Sequence, residues 1–314
     1  MNLVLHFHAV KDIDWFEKVI ILLKRRFQMI NIHQLDLFYQ GKIELLDACH
    51  ITIDDGDISF YNTIFPILKK HNIPATLFVS PLICKDSSNF WFQDIYDLKE
   101  EALIKKINDQ EIISENFVKN FGDCAYTLKC LPIKDILIIV NQLKSLQSLN
   151  NSPRNINCAQ LLEIANSDLI EIGAHTLNHP ILANEDDKTS SYEISESILK
   201  LESLIGKKIE FFAYPNGVPN IDFREREMDL LKNNGIKLAF STEPKVFSLK
   251  DNPISIPRLS LTYGSMTTLS VKLALFRYWN LISLLWYPEL KRRRKFIALT
   301  NKGLIGKKIL PTGN

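Results

Sequence analysis

The chain has 314 residues, of which 46% are hydrophobic and 24% charged, as is typical of a soluble globular protein with one large α/β domain or two smaller ones. The formal net charge of +2 argues against nucleic acid as the main partner. Five cysteines, without a metal-type pairing, are expected to be reduced and structural. The first residues lack the pattern of a signal peptide, and no run of about 18 apolar residues predicts a spanning helix. We therefore expect a cytoplasmic protein.

Strand and helix patterns alternate along most of the chain. The predicted strands lie at 3–10, 49–55, 74–80, 169–176, 209–215 and 236–242, and the predicted helices at 14–30, 60–72, 190–206 and 223–235. Asp14 favours the start of the first helix, while Gly206 and Gly235 end the last two. This alternation predicts an α/β fold of βα units with a parallel sheet or barrel.

Two segments depart from the alternation. Residues 84–157 have the pattern of charged helices between two core strands, and we interpret them as a helical insertion over one face of a barrel domain at 1–264. Residues 265–314 are expected to form a helical tail with a basic run at 291–295. The aromatic and leucine-rich stretch at 275–296 is expected either to contact an anionic membrane surface or to pack on the barrel with a solvated basic end.

Two short motifs contain residues suited to catalysis. In "HITIDDGDIS", the neighbouring carboxylates Asp54 and Asp55 end a predicted strand, and Gly56 is expected to let both face one pocket. Alone, Asp-Asp-Gly is typical of a turn whose carboxylates accept backbone N–H groups. In "EIGAHTLNHP", His175 and His179 lie four residues apart after another predicted strand. In a helical turn both imidazoles would share one face and one metal ion, although single histidines are more often core or surface residues.

The two motifs together favour an active site. Both follow predicted core strands, at the carboxyl ends where the active sites of barrels assemble. Two histidines and one carboxylate form an open three-ligand site that suits a divalent metal with a bound water. The second aspartate would then lie beside the metal, where its natural role is a general base that takes a proton from that water.

The motifs "TIDDG", "HTLNHP" and "FFAYPNG", in this order, resemble those of the polysaccharide deacetylase family (carbohydrate esterase family 4). The similarity runs from the first strand to about residue 260, and "LHFHAV" is similar to an opening strand in which many members have a histidine near the site. The resemblance implies a distorted (β/α) barrel of about seven strands and a metal-dependent N-deacetylase. By position it implies that Asp55, His175 and His179 bind the metal and that Asp54 is the catalytic base.

The third motif implies one more catalytic group. In the family, a backbone N–H in the loop after this strand, here at Asn216, faces the tetrahedral intermediate. "YPNG" is equally typical of a plain β-turn, and the turn is what would aim the N–H. The Asp-His-His set suits Zn, Mn, Co, Ni or Fe, and Zn is the ion that we expect.

The sequence also departs from the family pattern. Many members have an arginine at the position of Ala213, and the Ala-Tyr-Pro variant found here occurs in a branch associated with surface-polysaccharide synthesis. Arg258, late in the barrel, is the candidate to brace the catalytic aspartate, the alternative being a surface arginine. The late Leu-x-His motif that provides the family's general acid is missing, since no histidine follows His179. His8, water or recycled Asp54 would then protonate the leaving group.

The resemblance implies that the substrate is a sugar or glycan and not a nucleic acid. The expected activity is removal of an N-acetyl group from an amino-sugar in bacterial surface polysaccharide or lipid-linked glycan assembly, at the inner face of the membrane. The alternatives are a deformylase or deacylase of another lipid- or nucleotide-linked sugar amide, and a catalytically idle glycan-binding relative. The presence of Asp54 argues against the idle relative, which would not need a base.

Overall fold

A sheet of parallel strands organises the computed structural model, which describes residues 1–86, 88–109, 118–147, 153–261 and 263–276. The strands are β1 (Leu3–Phe7), β2 (Gln28–Met29), β3 (Ala48–Ile53), β4 (Ala75–Val79), β5 (Ile170–Ala174), β6 (Phe211–Ala213), β7 (Leu238–Phe240) and β8 (Leu259–Ser260). Their order in the sheet is β7-β6-β5-β4-β3-β1-β8, and β2 pairs with β3. The strands form an open half-barrel, which confirms the predicted distorted (β/α) barrel.

The central strands are buried along their whole length. Every residue of β1, β3 and β4 is buried, as expected for parallel strands that are covered on both faces. In a sheet of this kind the carboxyl ends of all strands meet at one edge. Side chains that follow β1, β3, β5 and β6 are therefore brought together at that edge, although they lie far apart in the sequence.

Twelve α-helices lie in the described residues. They are α1 (Ile13–Arg26), α2 (Ile32–Tyr39), α3 (Phe65–His71), α4 (Pro81–Asp86), α5 (Trp91–Asp94), α6 (Glu100–Asp109), α7 (Phe121–Leu128), α8 (Ile133–Ser145), α9 (Cys158–Ala165), α10 (Asp187–Ile205), α11 (Glu225–Asn233) and α12 (Met266–Leu275). Asp12 caps α1 by accepting a hydrogen bond from the Trp15 backbone, so the expected start at Asp14 was wrong by about one residue. The helix also ends at Arg26 rather than at 30, because the chain then enters β2.

The region of the predicted insertion has a core of its own. Helices α5 to α8 enclose a cluster of buried apolar side chains that includes Trp91, Leu103 and Ile136, separate from the cluster around the sheet. The limits 84–157 and 1–264 stay predictions. All five cysteines are free.

The predicted tail is described only in part. Helix α12 falls inside it, but from residue 277 onward the predicted membrane segment 275–296 lies outside the described residues, as does the basic run at 291–295. Among the residues that are described, no helix is long and apolar enough to cross a bilayer.

Two neighbouring side chains join the insertion to the loop that follows β5. The Asn184 side-chain amide donates to the carbonyl oxygen of Lys129, at 2.9 Å. The Glu185 carboxylate accepts from the backbone N–H of Ile133, at 2.7 Å, in the first turn of α8. Burial raises the pKa of Glu185 to about 7, and the nearby carboxylate of Glu193 adds to the rise. This carboxylate is therefore a pH-dependent contact between the insertion and the barrel.

We predict that Glu185→Gln stabilises the protein in a pH-dependent manner. Below the ordinary glutamate pKa of 4.5 the carboxyl is protonated in both the folded and the unfolded states. As the pH rises from there to about 7, only the unfolded state releases the proton, so the wild-type protein loses stability relative to the variant. We expect Glu185→Gln to raise the free energy of unfolding by about 1–3 kcal/mol at about pH 8, and by less at about pH 5, in urea denaturation.

Glu44→Gln, at an exposed loop position, is the matched control and should have a small effect that is the same at both pH values. Equal effects of Glu185→Gln at the two pH values would contradict the assignment.

Candidate active site

A tight turn after β3 brings both aspartates into one pocket. The backbone N–H of Asp54 donates to the Phe7 carbonyl at 3.0 Å, so Asp54 still belongs to the sheet edge. Asp55 and Gly56 both have left-handed backbone, with φ of 73° and 74°. The turn therefore begins at Asp55 itself, and an aspartate tolerates this conformation better than most residues do. The reversal is what lets neighbouring side chains face the same cavity.

Asp54 is held by a fully buried arginine. The Arg258 guanidinium binds both carboxylate oxygens of Asp54, with N–O distances of 2.7 and 2.8 Å. Its remaining donors reach the Ser241 carbonyl and the Thr52 hydroxyl, each at 3.0 Å. Arg258 is 0% exposed, so the alternative of a surface arginine was wrong. The guanidinium thus has a fixed position and orientation.

This ion pair determines the charge of Asp54. Burial alone would raise the pKa of the Asp54 carboxyl, but the charge and hydrogen bonds of Arg258 outweigh burial and hold it well below its ordinary value. Asp54 is therefore ionised throughout the neutral pH range. A carboxylate has about four lone-pair sites, so it can still accept a hydrogen bond from a water while it binds the arginine.

Asp55 forms a buried cluster with the two histidines. Its Oδ1 atom lies 3.4 Å from Nε2 of His175 and 3.5 Å from Nε2 of His179. Nδ1 of His175 lies 2.7 Å from the carbonyl oxygen of Ala213, which only accepts, so Nδ1 carries a proton and Nε2 is the ring nitrogen that faces Asp55. Burial lowers the pKa of His179 to about 3, which keeps its imidazole neutral, the form that binds metals.

The two histidines lie on a loop, so the expected helical turn was wrong. Thr176 and His179 both have left-handed backbone, with φ of 62° and 56°. The buried Glu193 carboxylate of α10 accepts from the backbone N–H groups of Leu177 and Asn178, at 3.0 and 2.9 Å. These hydrogen bonds replace those of a helix and curl the loop so that both imidazoles meet Asp55.

The three side chains fit a divalent metal ion. Oδ1 of Asp55 is buried and has no hydrogen-bond partner, which is unfavourable for a carboxylate oxygen unless a cation compensates. Bonds of about 2.0–2.2 Å to one tetrahedral ion place neighbouring ligand atoms about 3.4 Å apart, which matches the two distances from Asp55 to the histidines. One carboxylate and two imidazoles suit zinc and several other divalent ions.

His8 and a second histidine, His6, flank Asp54. His8 is exposed and follows β1, and its ring contacts that of His6 edge-on, with ring centres 5.4 Å apart. Ring nitrogens of both histidines and a carboxylate oxygen of Asp54 lie within 4.8 Å of one another. No role was predicted for His6, although its position two residues before His8 in an extended segment places both side chains on the same face.

Asn216 lies in the turn after β6. Asn216 and Gly217 both have left-handed backbone, with φ of 56° and 72°. The Thr242 hydroxyl donates to the carbonyl oxygen of Asn216 at 2.6 Å, and the Thr242 N–H donates to that of Gly217 at 2.7 Å. These bonds attach the turn to the chain after β7 and set its orientation.

One cavity of about 720 Å³ unites these residues. It is lined by six of the seven side chains selected from the sequence, namely His8, Asp54, Asp55, His175, His179 and Asn216. Arg258 lies behind the wall, where it binds Asp54. The insertion supplies a further part of the wall that the sequence analysis missed, including Trp91, Phe92, Tyr96 and Lys129. No sequence motif marks them, because only the docking of the insertion brings them to the cavity.

Comparison with known proteins identifies a family. The family model described as polysaccharide deacetylase matches residues 47–116 and 144–239, more than half of the chain. The match does not include residues 117–143, which contain α7 and most of α8. No curated protein sequence matches the chain.

Solved structures share the fold at low sequence identity. IcaB from Ammonifex degensii superposes with a TM-score of 0.56 at 18% identity, over 86% of this chain and 95% of that chain. The Streptococcus pyogenes deacetylase PplD in complex with acetate gives 0.55 at 16% identity, over 83% and 92%. The BpsB deacetylase domain from Bordetella bronchiseptica gives 0.53 at 16% identity, over 83% and 95%.

We predict that metal binding depends on Asp55 and His179 and not on Asp54. After equilibration with Zn²⁺, elemental analysis should find about one ion per wild-type chain. Asp55→Ala and His179→Ala should bind Zn²⁺ at least about a hundredfold more weakly in chelator competition, because each removes a ligand. Asp54→Asn should keep the ion, since Asp54 binds Arg258 instead.

His33→Ala, an exposed histidine outside the cavity, is the control and should bind Zn²⁺ as the wild type does. Undiminished binding by Asp55→Ala and His179→Ala, or no bound ion in the wild type, would refute the metal site.

Proposed function

Because the chain belongs to the polysaccharide deacetylase family and is a carbohydrate N-deacetylase, we propose that it is metal-dependent and removes N-acetyl groups from an amino-sugar of a bacterial surface polysaccharide or of its lipid-linked precursor. The family match confirms the resemblance that the three motifs indicated. The observation that carries the proposal is the placement of the Asp54–Arg258 ion pair beside the Asp55–His175–His179 cluster in one cavity. PplD, a deacetylase of the same fold, has been solved with acetate, which is the acid that N-deacetylation releases.

Each of the seven residues selected from the sequence has a role in this proposal. A divalent ion held by Asp55, His175 and His179 would polarise the amide carbonyl and make water more acidic. Asp54 takes a proton from the water as its oxygen attacks the carbonyl carbon. Arg258 keeps Asp54 ionised and aimed at the cavity.

The remaining two groups act on the tetrahedral intermediate. The backbone N–H of Asn216 donates a hydrogen bond to the oxygen that becomes negative, and a fixed donor of this kind is most effective in a closed site. His8 gives a proton to the nitrogen as the C–N bond breaks. One water and one amide are thereby converted to acetate and a free amino-sugar.

The cellular location is part of the proposal. We infer that the enzyme works in the cytoplasm, at the inner face of the membrane, on a lipid-linked sugar. The support is the aromatic and basic composition of residues 275–296, which is typical of a segment that contacts anionic lipid surfaces.

We predict that Asp54→Asn abolishes turnover but leaves metal binding intact. The amide cannot accept a proton from water at neutral pH, so acetate release from N-acetylated sugar oligomers should fall about 100- to 10,000-fold in kcat. Asp168→Asn, at an exposed position, is the control and should be fully active.

Turnover by a metal-loaded Asp54→Asn protein near the wild-type level would show that another group is the base. Release of formate from N-formyl sugars, with none of acetate from N-acetyl sugars, would instead favour the deformylase alternative.

We predict that the effect of His8→Ala depends on the leaving group. The amine of a sugar amide needs a proton in order to leave, so loss of His8 should lower kcat about 100-fold for N-acetylated sugars. An aryl acetate releases a stable phenolate without a proton and should be cleaved at nearly the wild-type rate. His33→Ala is the control for both substrates, and equal losses on both by His8→Ala would exclude the role of acid.

A further inference from the structure

One face of α7 forms part of the cavity wall. Ala125 and Lys129 both line the cavity, and Phe121 lies one helical turn before Ala125. The three residues are spaced by four, so they share one face of the helix. All three belong to residues 117–143, which the family match does not include. A helix that lies outside the family match therefore contributes directly to the catalytic cavity of this protein.

An exposed aromatic ring lies at one end of this wall. Tyr96 lines the cavity, yet its side chain is 67% exposed. Its ring stacks on that of Phe121, with ring centres 4.9 Å apart and planes 28° apart. An aromatic surface left open at a cavity rim is typical of a ligand-binding site. The C–H face of a sugar ring is the matching apolar surface in a carbohydrate enzyme.

A cation lies at the other end of the wall. Lys129 is the C-cap residue of α7, eight residues and hence about 12 Å along the helix from Phe121. The hydrogen bond from the Asn184 side chain to its carbonyl oxygen fixes the backbone of Lys129 against the loop that follows the histidines. Among the described residues, Lys129 is the only lysine or arginine that lines the cavity.

The cavity wall contains both negative and positive charges. Among the described residues, three carboxylates also line the cavity. Asp54 binds Arg258, Asp55 belongs to the histidine cluster, and the Glu243 carboxylate lies 3.1 Å from the Lys245 ammonium. The Lys129 ammonium is a positive charge in the cavity wall, and such a charge attracts an anionic part of a substrate.

We propose that the wall formed by Tyr96 and the α7 face is a binding site for an anionic substrate, in which Tyr96 packs on a sugar ring and Lys129 pairs with a phosphate or carboxylate near the reacting acetamide. The proposal rests on the proposed function for the reacting group and adds the class of the substrate. Phosphate and carboxylate are both anions whose oxygens accept hydrogen bonds from an ammonium group. A phosphate would come from a sugar joined to a carrier, and a carboxylate from an acidic sugar.

The test compares matched substrates in the metal-loaded full chain. Acetate release is measured with N-acetylglucosamine 1-phosphate, with N-acetylmuramic acid as the carboxylate substrate, and with neutral methyl N-acetylglucosaminide. We expect the wild type to favour at least one anionic substrate by tenfold or more in kcat/KM, with a preference that declines as salt is raised. The better anion identifies the source of the charge.

Lys129→Gln should remove this preference by raising KM, about tenfold for the anionic substrate and less than about twofold for the neutral one. Lys129→Arg should retain most of the preference, because it keeps the charge. Lys134→Gln, an exposed lysine on α8 outside the cavity, is the matched control and should behave as the wild type. Tyr96→Ala should raise KM for all three substrates, whereas Tyr192→Ala, an exposed tyrosine on α10, should not.

Two outcomes overturn the proposal: a wild type that does not prefer either anion, and an equal effect of Lys129→Gln on anionic and neutral substrates. If the wild type releases acetate from none of the substrates, the proposed function fails instead. Calorimetric binding of the same three compounds then still tests the site, because Lys129→Gln must weaken binding of the anionic compound about tenfold and leave that of the neutral one unchanged.

Discussion

The buried ion pair between Arg258 and Asp54 is the interaction on which the site depends. It joins the residue before β8 to the residue after β3, across β1, and so connects two segments that are 204 positions apart in the sequence. Removal of one partner of such a pair leaves an uncompensated buried charge and costs about 3–5 kcal/mol. The arginine also lowers the proton affinity of the carboxylate, so its contribution to catalysis is a fixed orientation and a permanent negative charge rather than greater basicity.

Backbone conformation explains how the other groups converge on this pair. Asp55, His179 and Asn216 all have left-handed backbone, with φ of 73°, 56° and 56°, each in a loop that follows a parallel strand. Such conformations are unfavourable for residues other than glycine and persist only where the surroundings enforce them. Here Glu193 binds the histidine loop and Thr242 binds the Asn216 turn. The carboxyl edge of the sheet brings the loops together, and these local reversals direct the functional groups into one cavity.

Most of the fold was predictable from the sequence, and the errors of the prediction have local causes. The long buried strands and the large amphipathic helices show clear periodicities, whereas β8 has only two residues and α2 only eight, too few for a distinct signal. The spacing of His175 and His179 is equally compatible with a helical turn and with a curled loop. Glu193, which decides between them through backbone hydrogen bonds, lies on another helix. Sequence periodicity reports burial, but it does not report which distant carboxylate a loop binds.

The sequence by itself determined the class of fold and the residues at the carboxyl ends of β3, β5 and β6, because parallel strands must present their following residues at one edge. Only the tertiary structure decided that Arg258 binds Asp54 and that the helical insertion adds Tyr96 and Lys129 to the cavity. The physical reason is distance along the chain. A contact between residues 204 positions apart depends on how every intervening element packs, and no local pattern of polarity or spacing records it.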